Sequence, residues 1–363
     1  TIFDEKTFAQ GKTVAKINHE LNYPRIEING KIADPVIFGV RWRGDRTASY
    51  RTSKSADFNL FRLPWEFSFE AWRADGTVDY DGLEHAVREL LQSNPDGKII
   101  IEMRITPPPW WTQANPGELV KFADGQTTGA DGVFASPASA KWQRETTAKL
   151  HEVIDHIEKS WFAGAVVGYM PCNLRGPEWV IACKHNCFPD YSEPMQRYFR
   201  EYLKEKYGND IEKLRAAWNN SEVTFDSAAI PEQKERQLAT GYFLPPERQD
   251  VMDYNRAVSR ATVDAIAAVM DAIHSAAPDK LRVIYFGYLM TLDHISANPA
   301  PTSHYDLSRL LDAGKVDVMA SPVSYVWRKP GDISGIGSVE SSYRKHGIDR
   351  KSTRLNSSHG YIS

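Results

Sequence analysis

Apolar side chains recur in short, nearly unbroken runs at Val36–Trp42, Phe58–Leu63, Ile99–Ile105, Ala165–Met170, Val283–Tyr288 and Val316–Ala320. Runs of this length without strict alternation predict strands covered on both faces, as in a parallel sheet flanked by helices. Between them the apolar period becomes that of a helix. Leu83, Ala86, Val87, Leu90 and Leu91 line one helical face; Trp142, Leu150, Val153, Ile154, Ile157 and Trp161 line a second. Val263, Ile266, Met270 and Ile273 predict a third helix stopped by Pro278, and Leu307, Leu310 and Leu311 a short fourth closed by Gly314. Asp81 with Glu84 has the form of a capping box, and Ser136-Pro137 the form that opens a helix. Ahead of the first run, Arg25–Ile32 alternates around Asn29-Gly30, which predicts a hairpin.

A doubly wound sheet and a barrel both fit this alternation. No Gly-x-Gly-x-x-Gly follows the first run, and polar and aromatic residues gather just after several different runs. A barrel brings such residues to one site at its C-terminal face. The chain is therefore expected to be an α/β protein of the (β/α)8 TIM-barrel type. The barrel would be incomplete, with about six of the eight strands present and a small N-terminal β extension. The expected units are a β-hairpin extension over 1–34, a partial barrel over 35–349, and a tail over 350–363 with neither strand nor helix period. A long insertion, residues 175–280, parts the fourth run from the fifth; Met195–Tyr207 in it has a helical pattern, and 219–250 is poor in strand signals.

Composition adds limits. The chain has 363 residues, 42% hydrophobic and 25% charged, which suits a globular protein. A net charge of −3 gives no basic stripe, so nucleic acid is not an expected partner. No apolar run reaches the roughly 18 residues of a membrane helix. The chain opens at Thr1 without a secretory pattern, and localisation stays open. Ten Trp and sixteen Tyr supply flat rings that suit sugar faces or a core alike. Cys172, Cys183 and Cys187, with His185, lack the paired spacing of a zinc site. Free thiols or one local disulfide are expected there, and no metal or other cofactor is assigned.

The candidate chemistry lies at the strand ends. The fourth run leads into a Gly/Pro-containing turn that carries Glu178 beside Trp179, with Asn173 and Arg175 nearby. A carboxyl group against an indole can hold its proton near neutral pH, as the general acid of a glycosidase must. A solvated loop glutamate is the plainer alternative. The first run ends in Arg41-Trp42-Arg43 and the second in Pro64-Trp65-Glu66. The third leads into Pro107-Pro108-Pro109-Trp110-Trp111, a rigid loop expected to offer one indole to a sugar and to bury the other. Tyr288 follows the fifth run; Tyr325 and Arg328 follow the sixth. Glu178 is thus the candidate catalytic group. Trp42, Trp65, Trp110, Trp111, Asn173, Trp179, Tyr288, Tyr325 and Arg328 are candidate substrate contacts. Glu102 and Arg104 share one face of the third run and are expected to pair if it faces inward.

Several of these stretches together resemble the catalytic barrel of family-42-type β-galactosidases and their clan-A glycoside hydrolase relatives, over residues 20–349. They are Asn94-Pro95-Asp96-Gly97, the run Pro107–Glu118, Phe134-Ala135-Ser136, Val167-Gly168-Tyr169, Gly176-Pro177-Glu178-Trp179 and Asp190-Tyr191-Ser192. Further ones are Phe199–Gly208, Ala216-Ala217-Trp218, Phe286-Gly287-Tyr288 and Ala320-Ser321-Pro322. The resemblance implies that Glu178 is the acid/base after strand four, and that the nucleophile is a Glu after strand seven. Asn normally precedes the acid/base directly; here Pro177 does, and Asn173 is the candidate for the Asn role. No nucleophile maps. After His346 the chain runs into a tail that resembles translated adapter sequence, so strands seven and eight are expected to be missing and the fragment inactive.

The leading expectation is a retaining glycoside hydrolase of the β-galactosidase type acting on a glycoside, without cofactor. The alternative is a carbohydrate-binding barrel without turnover. A metal-dependent barrel hydrolase would want a His pair where Arg41-Trp42-Arg43 stands. Homo-oligomers are implied only by the resemblance.

Overall fold

The apolar runs become consecutive strands of one parallel ring. The computed structural model describes residues 4–9, 12–20, 24–33, 37–39, 46–129, 132–174, 178–181, 187–237, 247–287, 303–321 and 340–354. An N-terminal antiparallel sheet comes first, built from β1 (Ala15–Asn18), β2 (Arg25–Ile28) and β3 (Lys31–Ile32). The expected hairpin is β2–β3, and β1 adds a strand on its other side. The ring starts with β4 (Ile37–Gly39), β5 (Leu60–Trp65) and β6 (Lys98–Arg104). A small hairpin of β7 (Thr128–Gly129) and β8 (Gly132–Val133) interrupts the following loop. The ring continues through β9 (Val166–Cys172), β10 (Leu281–Tyr285), β11 (Val318–Ser321) and β12 (Asp349–Arg354). Each ring strand pairs in parallel with the next, and β12 returns to β4.

The fold is thus an incomplete barrel of the (β/α)8 type with the six expected strands in place, and a seventh at 349–354. The expectation of a tail without strand is corrected here, since the boundary drawn at residue 349 falls inside β12. Its sequence, Asp-Arg-Lys-Ser-Thr-Arg, has no apolar member, so hydrophobic patterning had nothing to detect. Parallel pairing is made by backbone groups, which every sequence carries.

Alternation along each strand separates two cores. Leu60, Ile100, Val167, Leu281, Val283 and Val318 pack together inside the ring. Their neighbours Phe61, Ile99, Ile101, Val166 and Ile284 face outward onto helical residues such as Val87, Leu90, Val153, Ile154 and Ile273. Ala15 and Ile26 of the N-terminal sheet join the inner core. That sheet is fastened at the N-terminal ends of the strands: Ala15 N donates to Asp279 O at 2.9 Å, and Lys280 Nζ donates to Thr13 O at 3.0 Å and Val166 O at 2.8 Å. It closes the bottom of the barrel. Opposite Leu281, β9 carries Gly168; a Cβ there would lie 2.8 Å from Leu281 O, so only glycine permits this close strand approach.

Two helix starts differ from expectation. Asp81 lies in the first turn of helix Asp81–Ser93 and does not cap it. Helix Ala140–Ile157 is capped by Ser139, whose Oγ accepts from Trp142 N; Ser136 Oγ instead donates to Asp190 Oδ2 at 2.7 Å. The insertion is helical, with Glu193–Lys206, Ile211–Trp218, Gln233–Arg236 and the long Gln249–Ala276. Its hub is the fully buried Asp253, which accepts from Tyr207 Oη at 2.7 Å, Trp218 Nε1 at 2.9 Å and Gln249 Nε2 at 2.8 Å, and pairs with Lys206. No helix among the described residues is long and apolar enough to cross a membrane.

Candidate active site

The inner face of the ring becomes charged toward the C-terminal ends of the strands. In β5 the inward series runs from Leu60 to Arg62, and in β6 from Ile100 to Glu102 and Arg104. Arg62 pairs with Glu102, both nearly buried, and Arg104 Nε lies 3.1 Å from Glu66 Oε1 just past the end of β5. The expected Glu102–Arg104 pair is corrected accordingly. The face does point inward, but each residue finds its counter-ion on β5 or at its end, because neighbours on one strand face lie two residues apart and cross-strand neighbours are closer. Burial pushes the Glu66 carboxyl above its ordinary range, against the pull of Arg104. Among the described residues, Arg62 Nε and Thr106 Oγ1 are buried and meet no hydrogen-bond partner.

β9 ends amid these charges. Burial pushes the Cys172 thiol up to about 12, and the charges that act on it are those of Arg104, Arg62, Glu66 and Glu178. The thiol is therefore uncharged at neutral pH and is neither a nucleophile nor a thiolate ligand. Cys172 and Cys187 are free thiols; Cys183 and His185 lie outside the described residues. No group of three or more His, Cys, Asp and Glu among the described residues is arranged to hold a metal ion.

The turn after β9 carries Glu178, partly exposed. Leu174 and Trp179 take left-handed backbone angles, φ 61° and 57°. Such residues cost about 1–3 kcal/mol each and persist only where surrounding structure holds them. Here Asn173 Oδ1 accepts from Leu174 N at 2.8 Å, and Asn173 O accepts from Trp179 N at 3.1 Å. The Trp179 indole donates to Pro171 O at 3.0 Å. Asn173 is thus a buried turn-former. Trp179 is 1% exposed and points into the outer core, which corrects its expected place as a sugar contact.

The remaining aromatic candidates divide. Trp65 is buried against Phe67 and Tyr80 on the outside of the ring, so it too is corrected to core. The three prolines do not exclude a helix: Pro109 begins the short helix Pro109–Ala114. Trp111 is buried in the outer core, 1% exposed, with its indole donating to Glu145 Oε2 at 2.6 Å. Trp110 stays partly exposed, its indole donating to Trp72 O at 3.1 Å and its ring standing edge-on to Trp72. Trp111→Ala is expected to cost about 3–5 kcal/mol of stability. Trp110→Ala should instead weaken glycoside binding by about 1–2 kcal/mol with little change in melting. Calorimetry and sugar titration of the two variants would expose a reversed assignment. Trp42, Tyr288, Tyr325 and Arg328 lie outside the described residues.

Two residues at this end of the ring were not singled out as candidates from the sequence. Glu66 had a detectable signal, a carboxylate directly after a predicted strand. His304 had none: it is distant in sequence, yet its Nε2 lies 2.9 Å from Glu178 O.

Comparisons with known proteins bear on the family and the barrel. The family described as β-galactosidase, glycoside hydrolase family 42, matches residues 42–306. β-Galactosidase BbgII of Bifidobacterium bifidum is 26% identical over 218 residues, 56% of this chain and 28% of that protein. The crystal structure of a β-galactosidase from the psychrophilic Marinomonas ef1 superposes with a TM-score of 0.58 at 19% identity, over 78% of this chain and 40% of that one. The β-amylase catalytic domain of Paenibacillus polymyxa superposes with a TM-score of 0.64 at 14% identity, over 88% and 85% of the two chains. The structural likenesses speak for the barrel alone, and the chain spans well under half the length of these β-galactosidases. The family match covers more than half of the chain and includes the ring from β5 to β10 with the turn that bears Glu178, so the chain belongs to glycoside hydrolase family 42.

Proposed function

We propose that this chain forms the catalytic barrel of a retaining β-galactosidase-type glycosidase in which Glu178 is the acid/base. The observation that carries the reading is the position of Glu178 after the fourth ring strand, in a strained turn at the charged mouth. A retaining glycosidase places two carboxyl groups about 5–5.5 Å apart across the scissile bond. Glu178 would donate its proton to the glycosidic oxygen as the bond to the anomeric carbon breaks, while the second carboxylate attacks that carbon. Glu178, now a carboxylate, would then take a proton from the water that releases the sugar. Arg62, Glu102, Arg104 and Glu66 supply a polar floor suited to sugar hydroxyls, and Trp110 an aromatic edge. Trp42, Tyr288, Tyr325 and Arg328 are proposed as further contacts. Neither metal nor organic cofactor has a part in this scheme.

The second carboxylate belongs after the seventh strand, and residues 350–363 contain neither Asp nor Glu. We therefore assign the nucleophile to sequence that this chain does not carry. Residues 1–363 alone are expected to bind aryl β-galactosides without turning them over. A barrel in which residues 349–363 are replaced by the strand-seven to strand-eight segment of a family relative should release galactose first as its β anomer, as proton NMR of the fresh product would record. First release of the α anomer would exclude double displacement. Binding without turnover in the completed barrel would favour a carbohydrate-binding protein.

A further inference from the structure

We infer that His304 is a positioning residue for the acid/base turn: its imidazole ties the backbone of Glu178 to the end of β10 and so fixes where the Glu178 side chain projects. The inference rests on the assignment of Glu178 above, and it concerns a residue far outside the turn itself.

The ring is buried and lies 4.2 Å from the Phe286 ring, centroid to centroid. Gly287 N–H donates to His304 Nδ1 at 3.1 Å, so Nδ1 carries no hydrogen. The single ring hydrogen then sits on Nε2, which faces Glu178 O at 2.9 Å and donates to it. No other protonation state serves both partners. A hydrogen on Nδ1 would oppose the Gly287 N–H, and a bare Nε2 would face a carbonyl oxygen. Burial acts in the same sense and pushes the imidazole down to about 4.

The donor is itself set by the chain. Gly287 has φ 83°, and a Cβ there would meet Leu307 Cδ1 at 2.8 Å, so glycine is required for this amide to stand where it does. A second strut runs beside the first. Ser303 Oγ donates to Trp179 O at 3.3 Å, while Ser303 O accepts from Ser259 Oγ at 2.7 Å. Ser259 Oγ also accepts from Asp306 N at 2.8 Å. Consecutive residues 303 and 304 thus grip consecutive carbonyls 178 and 179 and anchor them to the long helix and to β10. The turn needs such a grip, because Trp179 directly after Glu178 is held in a left-handed conformation. Misplacing a reacting group by about 1 Å can cost on the order of 100-fold in rate.

The test uses residues 1–363 directly. With 15N-labelled histidine, His304 should report a neutral ring with hydrogen on Nε2 at pH 7. The opposite tautomer or a cation would overturn the inference. With 13C-carboxyl-labelled glutamate, and Glu178→Gln to assign its resonance, His304→Phe should shift or broaden the Glu178 signal and leave that of Glu102 in place. His304→Gln, which mimics Nε2, should restore it; His304→Asn, which mimics Nδ1, should not. A Glu178 signal unmoved in both the Phe and Asn variants would equally overturn the inference. The wild-type tautomer remains decisive if a variant fails to fold. Failure of Glu178 as acid/base would show only in kinetics of the completed barrel and would leave these spectra unchanged.

Discussion

In a completed, active barrel, Glu178→Gln should lower turnover of poor-leaving-group glycosides by about 100- to 10,000-fold, the range of a lost general acid. The amide keeps the size and the hydrogen-bonding reach of the carboxyl but cannot supply a proton. An alkyl leaving group needs that proton to depart, whereas an activated aryl leaving group departs as a stable anion. The first step on the activated substrate should therefore survive. The second step lacks its base, so the sugar should remain attached to the nucleophile and the reaction should slow after one burst. Added azide, which needs no base, should relieve that block. Stopped-flow and steady-state measurements on a series of leaving groups read all three effects. Equal losses across the series would remove Glu178 from the acid/base role.

Breaking the ion pair inside the ring should have the largest effect on stability. Arg62 and Glu102 side chains are 7% and 8% exposed and pair across β5 and β6. Glu102→Ala leaves the guanidinium in a nearly dry interior, and Arg62→Ala leaves the carboxylate there; either should cost about 3–5 kcal/mol. The double change Arg62→Met with Glu102→Leu should be far milder, within about 1–2 kcal/mol of wild type, because no charge is stranded. Sugar binding should nevertheless fall in the double variant if the pair forms the polar floor of the site. Denaturant unfolding of all three separates stability from binding. A mild single variant would mean that water reaches the pair and that the ring is open there.

The sequence carried the barrel because its evidence was periodic. Runs such as Ile99–Ile105 and the stripe Leu83–Leu91 repeat a local rule several times, and each repetition strengthens it. What could be read of Glu178 was its place alone, in the turn after the fourth strand, where the structure also has it. The failures were of another kind. Trp179 and Trp65 were expected at the sugar, but whether an indole turns in or out depends on one backbone angle or on strand phase, and neither is written in residue type. Glu102 and Arg104 were matched on their own strand because the partners across the sheet become known only when register is known. β12 was missed because its pairing is backbone to backbone and its side chains are all polar. His304 joins Glu178 across 126 positions of sequence, a separation at which single-sequence patterns are silent.

The sheet that closes the barrel floor also sets an order of events during synthesis. Thr13 bonds to Gly164, 151 positions away, and to Lys280, 267 positions away. At about 5–20 residues per second, the ribosome needs roughly 15–50 s to reach Lys280 after Thr13 has emerged. Through that interval β1 and β2 lack β10 to dock on, and the inner core that Ala15 and Ile26 join is without Leu281 and Val283. Contacts of such span form late and slowly, since the entropy of closing so long a loop is lost before any contact repays it. β1 and β2, made well before β10, are thus among the last elements to dock, and until then their edges stay open to the wrong partners.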